Sequence, residues 1–417
     1  MGCITNNLYV TQSVIPVPVN NVSASKLRPS AWILLLIILL QGCGSAPPRN
    51  ALPQELSEQA QIPGIPYARY WGGEAPPYTD EWFALSDAEI RKQYSAVYGK
   101  EHSLLALSGG GDKGAFGAGL LVGWSATGTR PQFGMVTGIS TGALIAPFAF
   151  LGSAYDKQLK EMYTQHSTSD FIDERGILDG LFSDAMTDTT KFRAMIARYI
   201  DDDVVRAIAN EYRKGRELNI ATTNLDAKRP VIWDIGRIAA SEIPGAKDLI
   251  HDILLASASI PIVFPPVMIE VEAGGQRYDE MHVDGGAVSQ VFAYPLGLDW
   301  RRVEKKLATK GTTQLYVIRN AKVHAEWKTI ERSTRSIASS TMDSLIKNQG
   351  IQDMFRIYAG SKRDGLEYRL AYIPEDFDHE KQEVFDKDYM NKLFELGYNL
   401  ARQGYPWENI PPGLGLK

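Results

Sequence analysis

The sequence contains very little cysteine, has no excess of basic charge, and lacks an apolar run long enough to cross a bilayer. Its two cysteines, Cys3 and Cys43, both precede the first acidic residue, Glu55. The rest of the chain therefore has no disulfide, no thiolate metal site and no cysteine nucleophile. A net charge of −5 over 417 residues excludes the basic footprint of a nucleic-acid-binding protein. A hydrophobic content of 44% is ordinary for a globular chain with a large core.

The first 43 residues instead resemble an export signal. Two basic residues precede the apolar run at 31–40, which is far shorter than the roughly 20 residues of a transmembrane helix. The following Leu40-Gln41-Gly42-Cys43 is similar to the lipobox of bacterial lipoproteins, which implies cleavage before Cys43 and lipidation of that cysteine. Gly44, by resemblance to bacterial sorting rules, favours the outer membrane. We therefore expect a lipid-anchored protein of the bacterial cell envelope, facing the periplasm; the alternative is an uncleaved signal anchor with a free cysteine.

Beyond the leader, composition predicts two further regions. Residues 44–77 hold seven of the 22 prolines, too many for helix interiors or central strands. This predicts a proline-rich tether. Neither an internal repeat nor a second break in the hydrophobic pattern follows, so residues 78–417 are predicted to form one α/β domain with a C-terminal helical extension.

Two glycine-rich turns each join a predicted strand to a predicted helix. The first unit has a strand at 104–107, a loop at 109–114 and a helix at 115–125; the second has a strand at 133–137, a turn at 138–142 and a helix at 144–151. Right-handed crossovers make these strands parallel, which puts both loops at the carboxyl edge of one sheet. The predicted fold is an α/β three-layer sandwich with a central, mostly parallel sheet.

The second turn, Gly138-Ile139-Ser140-Thr141-Gly142, matches the G-x-S-x-G nucleophile elbow and has the strand-turn-helix context that the motif needs. A serine nucleophile requires a base. None of the six histidines lies within a recognisable motif. The better candidate is Asp284, which follows a predicted strand and precedes Gly285 and Gly286, because these glycines permit close approach to the carboxylate. The alternative for this segment is an ordinary Asp-Gly turn.

Together, the glycine-rich segments at 109–114, 138–142 and 284–286 resemble the patatin-like phospholipase family in order and spacing. A fourth segment, 256–266, is similar to a helix-end block that the family carries between its serine and aspartate. The resemblance implies a patatin-like fold and a phospholipase A or esterase that acts on lipid or phospholipid without a metal or an organic cofactor. It implies that Ser140 and Asp284 form a catalytic dyad, in which the serine attacks an ester carbonyl and the aspartate takes its proton.

The same resemblance assigns roles to the first glycine loop. The backbone N–H groups of Gly109, Gly110 and Gly111 are expected to form the oxyanion hole, supported by the dipole of the helix that follows. The family normally has arginine where Lys113 stands. Lys113 is expected to support the loop or to contact a substrate headgroup, as a point charge rather than a planar fork.

Three alternative functions remain open from the sequence. Gly109-x-Gly111-x-x-Gly114 also matches the dinucleotide-binding fingerprint, but no acidic residue stands between Asp112 and Asp156 to bind a ribose. An α/β-hydrolase with a Ser-His-Asp triad would need a histidine after the acid, either His324 or His379. A non-catalytic lipid-binding lipoprotein would keep the pocket without turnover.

Overall fold

A nine-stranded sheet forms the centre of the fold, and a separate two-stranded ribbon lies outside it. The computed structural model describes residues 49–171, 173–174, 187–261, 263–327 and 329–414. The leader, with Cys43, lies outside the described residues. The strands are β1 (Arg69–Trp71), β2 (Ser103–Leu107), β3 (Met135–Ile139), β4 (Asp173–Glu174), β5 (Thr187–Asp188), β6 (Glu217–Asn224), β7 (Arg229–Asp234), β8 (Val267–Ala273), β9 (Gln276–Asp284), β10 (Gln314–Arg319) and β11 (Glu367–Tyr372).

Helices follow most of these strands. The α-helices are α1 (Thr79–Ala84), α2 (Asp87–Gln93), α3 (Gly114–Ala126), α4 (Thr141–Leu151), α5 (Asp156–Thr164), α6 (Thr168–Phe171), α7 (Thr190–Tyr199), α8 (Asp202–Tyr212), α9 (Ile235–Ala240), α10 (Ala246–Ala258), α11 (Trp300–Lys306), α12 (Thr334–Asp364) and α13 (Lys387–Arg402). Short 3₁₀ turns include Gly111–Lys113 before α3 and Gly285–Ala287 after β9.

The sheet is mostly parallel at its centre. Its order is β1-β7-β6-β3-β2-β10-β11, with parallel pairing from β6 through β11. Strands β7 and β1 extend one edge antiparallel, and β9 pairs antiparallel with the end of β6 and with β8. The predicted parallel βαβα unit is therefore confirmed, and both glycine turns lie at the carboxyl edge of the sheet.

Side chains alternate between two core layers on opposite faces of the sheet, as the period of two in a strand requires. In β2, Leu105 and Leu107 belong to one buried cluster, whereas Leu104 and Ala106 belong to another. The first cluster includes residues of α3, α4, α7, α10 and α13, and the second includes residues of α11 and α12. This arrangement confirms the predicted three-layer α/β sandwich.

The C-terminal helix α13 packs closely on the glycine-containing helix α3. A Cβ at Gly119 would lie 2.0 Å from the Phe394 carbonyl oxygen, and one at Gly397 would lie 2.3 Å from the Phe116 carbonyl oxygen. Only glycine permits backbones to approach this closely. The predicted C-terminal helical extension is thus part of the core layer that supports the first glycine loop.

The prediction of a tether is wrong for residues 49–77. Ile62, Ile65 and Ala68 are buried in the core, and β1 (Arg69–Trp71) pairs with β7 as an edge strand. Prolines are compatible with this packing because Pro66 and Pro76 lie outside the strand, where no ladder hydrogen bond is lost. Apolar residues between the prolines bury enough surface to fix the segment on the body.

Helices α2 and α8 begin with side-chain caps. Ser86 and Glu89 form a reciprocal capping box at the start of α2. Asp201 caps α8 by accepting hydrogen bonds from the N–H groups of residues 203 and 204. Among the described residues, none of the helices combines the length and the apolar character needed to span a membrane.

Candidate active site

The strand register brings the two predicted catalytic residues together. Strand β3 pairs with β6 as far as Ile139 opposite Ala221, and β9 takes over the same edge of β6 with Asp284 opposite Thr222. The other edge of β6 is occupied by β7. Ser140, directly after β3, and Asp284, at the end of β9, therefore meet where two strands of opposite direction converge.

Ser140 lies at a sharp turn between β3 and α4. Its backbone has φ 55° and ψ −127°, a conformation that costs about 1–3 kcal/mol for a residue with a side chain. The flanking glycines permit the turn: a Cβ at Gly138 would lie 2.4 Å from the Gly142 carbonyl oxygen, and one at Gly142 would lie 2.4 Å from the Leu107 carbonyl oxygen. This geometry matches the expected nucleophile elbow, with the serine at the N-terminus of α4.

The Ser140 hydroxyl donates a hydrogen bond to Asp284 Oδ2 over 2.6 Å. Both side chains are buried, with 6% and 5% of their surface exposed. The Ser140 N–H donates to the Ser257 hydroxyl at 3.0 Å, and that hydroxyl donates to the Ala221 carbonyl at 2.7 Å. Through these two hydrogen bonds the fully buried Ser257 ties the backbone of the strained turn to strand β6.

Burial raises the pKa of the Asp284 carboxyl from 3.8 to about 7. Hydrogen bonds from the Ser140 hydroxyl and the Gly286 N–H oppose this rise by stabilising the charged form. An aspartate with a pKa near neutrality is a far better proton acceptor than an exposed one. The site therefore contains a serine hydroxyl that is hydrogen-bonded to a carboxylate of raised basicity, with no residue between them.

The first glycine loop lies against this pair, but its three glycines are not equivalent. The N–H of Gly109 donates to the Gln290 carbonyl at 2.9 Å, so it is not available for a substrate, and its predicted role as an oxyanion donor is wrong. The N–H groups of Gly110 and Gly111 donate no hydrogen bond within the described residues. The free N–H donors of the loop, within the described residues, are thus those of Gly110 and Gly111.

Several buried polar side chains hold the glycine loop in place. Asn320, just after β10, donates its side-chain amide to the Ser108 carbonyl and accepts from the Gly117 N–H. A Cβ at Gly110 would lie 2.2 Å from the Asn320 carbonyl oxygen, which explains why this position is glycine. Arg319 donates to the Gly109 carbonyl at 3.4 Å, and burial lowers the pKa of its guanidinium to about 10.

Comparison with known families agrees with this arrangement. The family description "Patatin-like phospholipase" matches residues 105–296, which include Ser140, Asp284 and both glycine turns. Residues 105–296 are a patatin-like phospholipase domain. A comparison with curated proteins gave no match.

Solved structures similar to the chain include VipD from Legionella pneumophila, with 12% identity, a TM-score of 0.35, and coverage of 73% of this chain and 66% of VipD. Full-length ExoU of Pseudomonas aeruginosa, in complex with SpcU, has 13% identity, a TM-score of 0.25, and coverage of 73% and 52%. A second structure of the type III effector ExoU has 14% identity, a TM-score of 0.21, and coverage of 72% and 53%. The chain thus spans about half to two thirds of the length of these proteins.

An apolar pocket opens beside Ser140 in the patatin-like domain and encloses about 450 Å³ of space. Its wall combines Gly111 of the glycine loop with large apolar side chains from several helices. Those side chains are Leu144, Met162, Tyr163, Phe171, Phe192, Met195, Ile260, Phe385 and Met390. Residues 385 and 390 lie beyond the family match, so the C-terminal segment completes the pocket of the patatin-like domain.

The C-terminal segment also contacts the glycine loop directly. Lys381 pairs with Asp112 at 2.7 Å, and Asp112 is buried at the pocket wall. Phe385 stacks on Phe171 with 4.6 Å between the ring centres. Residues 381–385 therefore cover one side of the pocket and are fixed there by one ion pair and one aromatic stack.

Lys113 is half-buried and lies outside the residues that line the apolar pocket. Burial lowers the pKa of its ammonium group, and the charges of Glu326 and Asp112 oppose that effect. Contact of Lys113 with a headgroup stays a prediction.

None of the six histidines is hydrogen-bonded to Ser140 or Asp284. His324 pairs with Glu375, and His379 contacts Asp388 and Lys392, all on the surface. His282, close in sequence to Asp284, is fully buried and binds Glu280 and Thr222 instead. The geometry gives no support to a Ser-His-Asp triad. The described residues also contain no cluster of three or more metal-ligating side chains.

Sequence reasoning missed the residues that position the site without reacting. Ser257 lies in a segment that the sequence singles out only by family resemblance. A serine near the end of an apolar helix is nevertheless a usable signal, because a buried hydroxyl needs hydrogen-bond partners. Arg319 and Asn320 directly follow the apolar strand β10. Polar residues at the carboxyl end of a buried parallel strand are a signal that would have found them. The pocket residues carry no such signal.

Proposed function

We propose that the protein is a serine hydrolase that cleaves acyl esters of lipids, phospholipids in particular, through a Ser140–Asp284 dyad. The observation that carries this proposal is the 2.6 Å hydrogen bond between the two side chains at the wall of an apolar pocket. The pocket is lined mainly by apolar side chains, which offer an acyl chain a favourable environment. The family of residues 105–296 supports the same reaction.

In the proposed mechanism, Asp284 accepts the Ser140 hydroxyl proton while the serine oxygen attacks the ester carbonyl. The N–H groups of Gly110 and Gly111 stabilise the resulting oxyanion, together with the dipole of α3. Asp284 then returns the proton to the departing alcohol oxygen, which leaves an acyl-serine. Asp284 then deprotonates a water molecule, whose oxygen attacks the acyl carbon. The acyl–serine bond breaks, the fatty acid leaves, and Asp284 returns the proton to the Ser140 oxygen.

The surface beside the pocket supports a substrate embedded in a lipid aggregate. Trp327 is 98% exposed, and Ile337, Met342 and Leu345 are 50–62% exposed. Trp327 precedes α12 and the other three lie in its first half. Gln349, one turn after Leu345, accepts a hydrogen bond from Gln290 beside the dyad. Large apolar side chains so exposed near a site mark an interaction surface, and tryptophan favours the membrane interface.

Local charge favours an anionic lipid surface over other partners. Residues 326–349 contain four basic and three acidic side chains, a balance of +1 in a chain of net charge −5, and one of the basic side chains, Lys347, is paired with Glu326. We propose that these residues bind anionic lipid headgroups and insert their apolar side chains among them. We also propose that Cys43 carries a lipid that anchors the protein in the cell envelope, which metabolic labelling of wild type and Cys43→Ser with a radioactive fatty acid tests.

The deciding experiment compares the wild-type protein with Ser140→Ala and Asp284→Asn on p-nitrophenyl esters and on fluorescent phospholipid vesicles. We expect losses of about 10³-fold or more in kcat for both variants. The matched exposed variants Ser153→Ala and Asp376→Asn should keep wild-type rates. A fluorophosphonate should label Ser140; lipid binding without label or turnover would instead indicate a non-catalytic lipid-binding protein.

A second experiment separates the lipid-binding surface from the chemistry. The triple variant with Trp327, Ile337 and Leu345 changed to serine should sediment less with phosphatidylglycerol vesicles but hydrolyse a soluble ester at the wild-type rate. Met268→Ser, which changes another exposed apolar residue, serves as the control. Unchanged sedimentation of the triple variant would refute the assignment of this surface.

A further inference from the structure

A second and larger cavity lies at the opposite edge of the sheet from Ser140. It encloses about 790 Å³ and reaches the amino ends of β2, β3 and β6, where Leu104, Met135 and Glu217 share one row of the register. Half-buried Pro76, Pro295 and Leu298 also belong to its wall. That space includes its opening to solvent, which gives a small molecule access to the wall.

The wall of this cavity is unusually aromatic. Five aromatic side chains contribute to it: Tyr70, Tyr78, Trp82, Tyr94 and Trp300. Trp82 packs edge-on against Tyr94 with 5.8 Å between the ring centres, which fixes these two rings relative to each other. Electron-rich ring faces around one space attract cations, and most strongly where water is excluded.

One carboxylate, that of Glu217, lies among these rings without a cation to balance it. Glu217 makes no ion pair within the described residues; its hydrogen-bond partner is the Asn219 amide at 3.4 Å. The nearby Arg237 is already bound to Asp234, through its side chain at 3.3 Å and its backbone N–H at 2.8 Å. The guanidinium of Arg237 is thus used by Asp234, and Glu217 keeps a carboxyl group without an ion-pair partner at the cavity.

Without a bound cation, burial disfavours the charged form of the Glu217 carboxyl group. Burial, with a contribution from Asp234, raises the pKa of Glu217 to about 7. The Glu217 charge in turn contributes to raising the pKa of Tyr70 and Tyr78, whose largest cause is burial. His102, also at the wall, binds the Val97 carbonyl, and burial lowers the pKa of its imidazole, so it does not supply a compensating cation.

We propose that this cavity is a binding site for an organic ammonium ion, with the cationic group at Glu217 and its alkyl substituents against the aromatic rings. A cation stabilises the charged form of Glu217, which a neutral ligand cannot do, and a small hydrated metal ion would leave the aromatic wall unused. The site is separate from the ester-hydrolase site and does not depend on the proposed reaction.

Calorimetric titration of the Ser140→Ala protein tests this proposal without interference from turnover. The probes are tetramethylammonium, choline and 3,3-dimethylbutan-1-ol, which is a neutral analogue of choline with nearly the same shape. We expect saturable binding of the two cations and at least about tenfold weaker binding of the alcohol. Glu217→Gln, which keeps the side-chain shape, should weaken choline binding at least about tenfold, whereas the exposed control Glu101→Gln should not.

Three results would overturn the proposal: equal affinity for choline and the neutral alcohol, unchanged choline affinity in Glu217→Gln, or no saturable cation binding by a protein with a normal melting transition. A melting temperature within a few degrees of wild type shows that Glu217→Gln is folded. A final titration with dihexanoylphosphatidylcholine distinguishes two sources of the cation. Binding of this lipid by the wild-type cavity, lost in Glu217→Gln, supports a lipid headgroup, and binding of choline alone supports a free amine.

Discussion

The raised pKa of Asp284 predicts that activity and stability respond to pH in opposite directions. In the folded protein the carboxyl has a pKa of about 7, against 3.8 for an ordinary aspartate. At pH 6 about nine tenths of the molecules therefore carry a protonated Asp284, which accepts no proton from Ser140. We expect kcat/KM to fall about tenfold for each pH unit below 7 and to reach a plateau above pH 8.

Stability should change in the other direction over the same range. The folded protein holds the Asp284 proton up to about pH 7, whereas the unfolded chain loses it near pH 3.8. The free energy of unfolding contributed by this group is therefore fully present below pH 4 and is lost as the pH rises through 7. The difference between the two pKa values corresponds to about 4 kcal/mol, as an upper limit for this one residue.

Both effects can be measured on one pair of proteins. Hydrolysis of p-nitrophenyl butyrate, followed at the isosbestic wavelength of the product, gives kcat/KM between pH 5 and 9 at constant ionic strength. Urea unfolding of wild type and Asp284→Asn at pH 5 and pH 8 gives the stability term, because the asparagine cannot titrate. The variant should gain stability relative to wild type on going from pH 5 to pH 8.

The reasoning would be refuted by an activity profile that stays level from pH 5 to pH 8, since the dyad carboxyl would then be fully ionised throughout. It would equally fail if the stability difference between wild type and Asp284→Asn did not change between the two pH values. The first result would assign Asp284 an ordinary pKa, and the second would show that burial does not disfavour its charged form.

Four further substitutions test other parts of the proposed mechanism. Ser257→Ala should lower kcat about tenfold, because the Ser140 N–H loses its acceptor, and should leave the melting temperature within a few degrees of wild type; equal losses of activity and stability would assign Ser257 a purely structural role. Met195→Trp should fill the apolar pocket and reduce kcat/KM for dodecanoyl esters at least about tenfold more than for butyryl esters, and an unchanged chain-length preference would mean that the acyl chain binds elsewhere. His324→Ala and His379→Ala should each keep turnover within about one order of magnitude of wild type, whereas a loss of about 10³-fold would restore the triad hypothesis.

Much of the site was predictable because its signals are local in the chain. A serine between two glycines, after a strand and before a helix, predicts a strained turn whatever surrounds it, since only glycine allows the close approaches seen at Gly138 and Gly142. Neighbouring residues also predict the turn at Asp284, which precedes two glycines, and the parallel strand-helix units. The pairing of Ser140 with Asp284, 144 residues apart, was accessible only through family resemblance.

Other features depend on packing between distant segments, for which the chain carries no local signal. A high proline content predicts that the N-terminal segment lacks helices and central strands, and so favours a tether. The structure differs because β1 is an edge strand that is buried and pairs with β7. Gly109 differs from Gly110 as a donor only because the Gln290 carbonyl faces its N–H.

Sequence alone thus determined the layered α/β fold and predicted Ser140 and Asp284 as candidate catalytic residues, because backbone conformation and periodicity depend on neighbouring residues. Tertiary structure alone decided which N–H groups are free, how basic Asp284 becomes, and which side chains form the two cavities. Each of these depends on the solvent exclusion and charge that arise when segments far apart in the chain pack together.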